Sequence, residues 1–245
     1  MEYDFSPKLL EELKSRADSV RSKIVQSCKE VGRDPSEVTL IGVSKVFPVE
    51  YAEAAFMGGL KDLAENKVQE LLPKEERLSE LNLHPNWHLI GTLQKNKVKY
   101  IIGKTHLVHS VNSVELASEI SKRSVNAGIV TDILLQANVS GEESKHGFAP
   151  AELEAALEAV SNMEGIRVRG LMTMAPIQTY PGEAEPVFAK TREIYEALKV
   201  NAKDPSIFDT LSMGMSQDYV YAVKQGSTHV RIGTDIFGKR NYPSP

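Results

Sequence analysis

Short apolar segments alternate with helical patterns along most of the chain. The segments lack regular polar alternation and lie at 38–46, 87–91, 106–111, 131–139, 166–175, 210–216 and 228–238. Segments of this kind are typical of parallel strands that are covered on both faces. Between them, apolar residues recur at helical spacing, as in Leu153, Leu157 and Val160 after Pro150. The pattern therefore predicts a repeated strand and helix order.

This order predicts an α/β fold with a single (β/α)₈ TIM barrel. If the weaker segment 61–66 is counted as the second strand, the chain has eight strands, which right-handed crossovers would close into a barrel. An amphipathic helix over about 7–31, with Ser6 and Pro7 at its start, precedes the first strand. An open doubly wound sheet is the alternative, but no GxGxxG follows the first strand. We expect one domain over 1–245.

Composition narrows the possible partners and compartment. The chain has 245 residues, a net charge of −4 and one cysteine, Cys28. No overall basic field favours nucleic acid or an anionic membrane, and no apolar run reaches the roughly 18 residues that a membrane span needs. A single cysteine cannot form an intramolecular disulfide, which suits a reducing compartment. We therefore expect a cytoplasmic protein with no nucleic-acid or membrane partner.

Lys45 directly follows the first apolar segment. In a barrel of this type, functional residues gather at the carboxyl ends of the strands. A lone lysine at a strand end is commonly the solvated start of a loop. At an apolar barrel mouth, however, burial disfavours the ammonium form and leaves the amine able to attack an aldehyde.

The loops after the last two strands, SMGMS at 212–216 and the glycine-containing segment after Arg231, favour a phosphate site. Their glycines are turn residues on one interpretation. On the other, they let backbone N–H groups approach a phosphate, which barrels of this type bind after strands seven and eight. The hydroxyl groups of Ser212, Ser216 and Thr234 add donors. Together these features favour a phosphate cradle.

Several other polar residues have two interpretations. Arg231 lies in a segment that is predicted to be buried, so it needs a partner, either a barrel carboxylate or a ring nitrogen of a cofactor. Asn66 and His88 lie at predicted strand ends and are either structural groups or ligand contacts. Three methionines could pack in the core or line one face of a flat ring: Met172, Met174 and Met215.

Six motifs occur in order between residues 38 and 238: LIGVSK, AENKVQE, WHLIGTLQKNK, LMTMAP, LSMGMSQDY and VRIGTDIFG. The chain closely resembles the pyridoxal phosphate homeostasis proteins, also called the proline synthase co-transcribed family. This family has the barrel of fold-type III pyridoxal 5′-phosphate (PLP) proteins, similar to the N-terminal domain of alanine racemase. The family's usual pattern has an aromatic residue where Lys67 stands, a position that we expect to point away from the ligand.

The resemblance implies roles for individual residues. Lys45 would hold PLP as a Schiff base, and Arg231 would contact the pyridine nitrogen. The ring pocket would be lined by Asn66, His88 and Met172. The phosphate would be held by Ser212, Met213, Gly214, Ser216, Gly233 and Thr234.

The resemblance also implies a PLP carrier rather than an enzyme. An arginine beside the pyridine nitrogen disfavours its protonation, which weakens the ring as an electron sink. We expect no second domain, because the chain ends a few residues after the last predicted strand. The implied role is storage, buffering or delivery of PLP by a monomer, with PLP-dependent apo-enzymes as recipients.

Two enzymatic alternatives stay open at this point. One is an amino-acid racemase that uses Lys45 as one base and Tyr219, Tyr221 or His88 as the other. The second is a barrel aldolase without a cofactor, in which Lys45 attacks a phosphorylated sugar.

Overall fold

The computed structural model describes residues 5–141, 146–176 and 178–239. The first helix, α1, spans Pro7–Glu30 and begins where predicted, because the Ser6 side chain accepts a hydrogen bond from the Leu9 N–H at 3.2 Å. Gly32, at φ +68°, ends it. One stripe of α1 is buried against the barrel: Leu13, Ala17, Val20, Ile24 and Cys28.

Eight parallel strands form a closed barrel in sequence order. They are β1 Thr39–Val43, β2 Asp62–Glu65, β3 Asn86–Leu89, β4 Leu107–Val111, β5 Thr131–Ala137, β6 Ile166–Thr173, β7 Thr210–Ser212 and β8 His229–Ile232. The barrel closes where β8 pairs with β1. The predicted (β/α)₈ barrel is confirmed, and the open sheet is excluded.

One helix follows each strand, and the last of them comes after β8. They are α2 Val49–Met57, α3 Val68–Glu80, α4 Val98–Ile101, α5 Val114–Asn126, α6 Leu153–Ser161, α7 Glu185–Asn201, α8 Tyr219–Lys224 and α9 Thr234–Phe237. Short 3₁₀ helices lie at Pro35–Glu37, Lys95–Lys97 and Pro150–Glu152. Two apolar segments are shorter as strands than predicted, because 213–216 is a loop and 233–238 contains α9.

The two faces of the strands have different neighbours. Since side chains alternate across a strand, Leu63 packs outward in the large cluster beneath the helices, whereas Ala64 packs inward with Ile41 and Val43. Inward positions of several other strands carry polar side chains, including His88 on β3. The barrel interior is thus partly polar, and the main apolar core lies between the sheet and the helices.

Within the described ranges, none of the helices is long and apolar enough to cross a membrane. The same ranges contain no group of three or more His, Cys, Asp or Glu side chains placed to hold a metal ion.

Candidate functional site

A cavity of about 360 Å³ opens at the carboxyl ends of the strands. Six of the residues predicted for the site line it: Lys45, Asn66, Ser216, Arg231, Gly233 and Thr234. Ile90, Met174 and Met215 supply apolar surface, and Gln136 and His146 supply polar groups. The volume and the mixed lining suit a small-molecule site.

The turn that carries Lys45 begins at the end of β1. The Ser44 N–H donates to the Ala64 carbonyl at 3.1 Å, and the Phe47 N–H donates to the Ser44 carbonyl at 3.1 Å. These bonds extend the β1–β2 pairing by one residue and then close the turn. Lys45 is half-buried and faces the cavity, as predicted from its place at the strand end.

A buried ion pair holds the residue before Lys45. The Lys74 ammonium donates to Glu65 Oε1 at 2.6 Å and to the Ser44 carbonyl at 2.9 Å, and the Ser44 hydroxyl donates to Glu65 Oε1 at 2.6 Å. Burial raises the pKa of the Glu65 carboxyl, and the Lys74 charge opposes that shift. We call Ser44, Glu65 and Lys74 the Ser44 clamp. It fixes the backbone on one side of the lysine.

The residue after Lys45 is held in a left-handed backbone conformation. Val46 has φ +66°, which is unfavourable for a β-branched residue, and its N–H donates to Glu70 Oε2 at 2.7 Å. Such strain persists where surrounding contacts enforce it and is found at functional sites. The turn around Lys45 is therefore held on both sides.

The neighbouring wall of the cavity carries hydroxyl groups and glycines. Ser216 and Thr234 offer hydroxyl donors beside the backbone of Gly233. Gly214 lies just before this wall at φ +95°, and a Cβ there would lie 2.6 Å from the Ala222 Cβ in α8. Glycine is required at 214 for this close approach. The wall suits a small anion.

Arg231 is buried at the floor of the cavity. Its Nη1 donates to Ser212 Oγ at 2.6 Å and its Nη2 donates to the Thr173 carbonyl at 2.9 Å. Burial lowers its pKa to about 10, and the Asp218 charge opposes this shift, so the guanidinium stays charged at neutral pH. Within the described part of the chain no carboxylate forms an ion pair with it, which favours the ring-nitrogen interpretation.

Five of the predicted site residues lie outside the cavity lining: His88, Met172, Ser212, Met213 and Gly214. His88 is level with Ala64 in the sheet register, and Ile90, two residues further along, lines the cavity instead. Met172 packs inward with Leu107 and Leu134. On β3, the cavity therefore opens two residues beyond the residue that the sequence prediction selected. The direct contacts implied for these five residues stay predictions.

Sequence reasoning missed several residues around the site. Gln136 lines the cavity and donates to the His146 carbonyl at 2.8 Å. The sequence feature that could have identified it is a polar residue at an inward position of an apolar strand. Gly91 was also missed, although a Cβ there would lie 2.2 Å from the Asn66 carbonyl oxygen. Lys67, by contrast, is 69% exposed and lies outside the lining, as expected.

Comparison with known proteins places the chain in a family. Residues 35–241 match the family model of the alanine racemase N-terminal domain. The pyridoxal phosphate homeostasis protein of Aquifex aeolicus is 42% identical over 229 residues, covering 93% of this chain and 98% of that protein.

Two solved structures are similar over nearly their whole length. A protein from Bifidobacterium adolescentis, described as unknown, has a TM-score of 0.88 at 30% identity and covers 96% of this chain and 98% of its own. PipY of Synechococcus elongatus with PLP bound has a TM-score of 0.79 at 32% identity, and the match covers 92% of this chain and 100% of the PipY chain. From its sequence match and its barrel, this chain belongs to the pyridoxal phosphate homeostasis proteins, within the wider family of alanine racemase N-terminal domains.

Proposed function

We propose that this protein binds PLP in the cavity through Lys45 and serves PLP homeostasis by storing, buffering or delivering the cofactor. The observation that carries the proposal is that the cavity combines a half-buried lysine, a buried guanidinium without a direct carboxylate partner among the described residues, and a wall of hydroxyl groups and glycine. These three features match the aldehyde, the ring nitrogen and the phosphate of PLP.

The chemistry of the donor groups fits PLP. When bound, PLP supplies an aldehyde for a lysine amine and an electron-withdrawing ring. Arg231 can only donate hydrogen bonds, so a pyridine nitrogen beside it must accept one and stay unprotonated. The guanidinium thus orients the ring and keeps it a weak electron sink, which supports holding rather than catalysis.

The relatives support the same role. PipY has been solved with PLP bound, and the relative from Aquifex aeolicus is named for PLP homeostasis rather than for a reaction. The phenol of Tyr219, considered above as a racemase base, is buried, and burial raises its pKa to about 12. It lines a neighbouring groove rather than the lysine cavity, so it is poorly placed to take up a proton from a bound amino acid.

Substitution of the lysine tests the proposal. Purified protein incubated with PLP should show a visible absorbance band that borohydride reduction removes, with the phosphopyridoxyl mass on the peptide that carries Lys45. Lys45→Ala should abolish both signals. Lys67→Ala is the matched control, because Lys67 lies nearby but points to solvent. Labelling that survives in Lys45→Ala at the wild-type level would refute the assignment.

The wider role needs a transfer assay. Loaded protein should restore the activity of a PLP-dependent apo-enzyme, and loaded Lys67→Ala should do so equally well. The proposal further includes a monomeric state, which light scattering of the purified protein checks, and action in the cytoplasm. If the loaded protein catalyses exchange of amino-acid α-hydrogens faster than free PLP, the carrier role is replaced by a racemase-like one.

A further inference from the structure

A chain of hydrogen bonds crosses the barrel interior beneath the cavity. It starts at Arg231, whose Nη1 donates to Ser212 Oγ at 2.6 Å. Ser212 Oγ lies 2.9 Å from His109 Nδ1, and His109 Nε2 lies 2.9 Å from His88 Nδ1. His88 Nε2 lies 3.1 Å from Asp62 Oδ1. We call these five residues the core chain; they come from β8, β7, β4, β3 and β2.

The two ends of the core chain, together with neutral imidazoles between them, fix the direction of every bond in it. A guanidinium has no acceptor and an ionised carboxylate has no donor, so with both histidines neutral all hydrogens point from Arg231 towards Asp62. The Ser212 hydroxyl then donates to His109 Nδ1. Each histidine carries its proton on Nε2 and accepts at Nδ1. Burial supports this assignment, because it lowers the pKa of both imidazoles and keeps them neutral.

The core chain connects the buried guanidinium of Arg231 to a negatively charged carboxylate. A buried cation without a counter-charge is costly, and a carboxylate bonded directly to Arg231 would occupy the donors that face the cavity. Asp218 acts on Arg231 through space, since its charge opposes the lowering of the Arg231 pKa, but its Oδ1 accepts from the Met215 N–H at 2.6 Å and no hydrogen bond between the described atoms joins it to the guanidinium. Through the core chain, Asp62 can compensate the charge of Arg231 without a direct ion pair. The guanidinium uses one N–H on Nη1 and one on Nη2 for hydrogen bonds within the protein.

We propose that Asp62 is a hydrogen-bonded counter-charge of Arg231, besides the through-space charge of Asp218, and acts through the core chain, whose two histidines are positioning residues for the guanidinium. His88 then acts beneath the bound ring rather than against it. The effect on PLP rests on the proposed function, whereas the direction of the bonds is a property of the protein alone.

The protonation of the histidines is the first test. Nitrogen-15 NMR of histidine-labelled protein without PLP, near pH 7.5, should show both His88 and His109 protonated at Nε2 and unprotonated at Nδ1. This measurement needs no folded variant. A proton on Nδ1 of either ring would overturn the proposal.

The second test is PLP affinity. Asp62→Asn keeps an oxygen acceptor for His88 but removes the charge, and His109→Leu interrupts the chain. Both should weaken PLP binding by about threefold to thirtyfold, the range found for residues that act through a network. His106→Gln is the matched control, because its ring packs 5.4 Å from that of His88, centroid to centroid, yet lies outside the chain. It should change the affinity less than about twofold.

The outcomes separate this inference from the proposed function. If the wild-type protein does not bind PLP, the proposed function fails, and the NMR result still decides the direction of the bonds. If the wild type binds PLP and folded Asp62→Asn and His109→Leu variants bind it equally well, the counter-charge role is overturned.

Discussion

Val46 offers a sharp test of how the lysine turn is built. Its φ of +66° costs about 1–2 kcal/mol for a residue with a Cβ. Glycine adopts this conformation without strain but loses about 0.5–1 kcal/mol more backbone entropy on folding. Val46 is 52% exposed, so little packing is lost. We therefore expect Val46→Gly to change the free energy of unfolding by between zero and about 1.5 kcal/mol in the stabilising direction.

Val130→Gly is the matched control for this substitution. Val130 is 58% exposed, lies just before β5, and is not among the described residues with positive φ. Glycine there should cost about 0.5–1 kcal/mol, so the two variants should differ by about 1–2 kcal/mol. Urea unfolding followed both by circular dichroism and by Trp87 fluorescence gives the free energies, provided that the two transitions coincide.

Val46→Gly should also weaken PLP binding while it preserves or improves the stability of the protein. A glycine frees the turn, and ordering it again on binding should lower the affinity by about threefold to tenfold. Equilibrium titration of the visible absorbance measures this change. If Val46→Gly and Val130→Gly destabilise the protein equally, the turn stores no strain and the reasoning is refuted.

Three further predictions concern the Ser44 clamp, the cavity lining and the buried histidines. Lys74→Met should destabilise the protein by about 3–5 kcal/mol in urea unfolding, because it leaves the Glu65 carboxylate buried without its partner, and adding Glu65→Leu should restore most of the loss. Gly91→Ala should lower PLP affinity in the same titration at least about tenfold, because its Cβ would displace the Asn66 backbone; unchanged affinity would show that Asn66 does not contact the ligand. The two histidines of the core chain, and His229 beside them, have pKa values that burial lowers below 6.5, so the unfolded chain binds protons that the folded protein does not. Their stabilising contribution is present above pH 6.5 and lost below it, at about 1.4 kcal/mol per pH unit for each ring, and unfolding measured near pH 5 should take up about three protons at these rings.

Much of the fold is readable from local pattern alone. The apolar segments and the helical spacing between them depend on near neighbours in the chain, and they predict a barrel whose strand order the structure confirms. The short strand β2 was the weakest signal, because Asp62 and Glu65 interrupt its apolar character. Both residues have partners elsewhere in the barrel, which no local pattern reports.

The site also has features that the sequence could predict and features that it could not. Lys45, Asn66 and Arg231 could be selected because each is a polar residue within or just after a predicted strand, and all three line the cavity. The level of each side chain along the barrel axis could not be predicted. It depends on the stagger between neighbouring strands, which places His88 two residues below the opening.

The sequence by itself determined the alternation of strands and helices, and it marked the lysine, the arginine and the glycine-rich loops as candidates. Tertiary structure alone decided which of them meet in one cavity. It also decided that hydrogen bonds connect Arg231 to Asp62 across the barrel, through side chains from three other strands. The physical reason is that burial and hydrogen-bond direction arise only when the barrel closes and brings residues distant in sequence into contact.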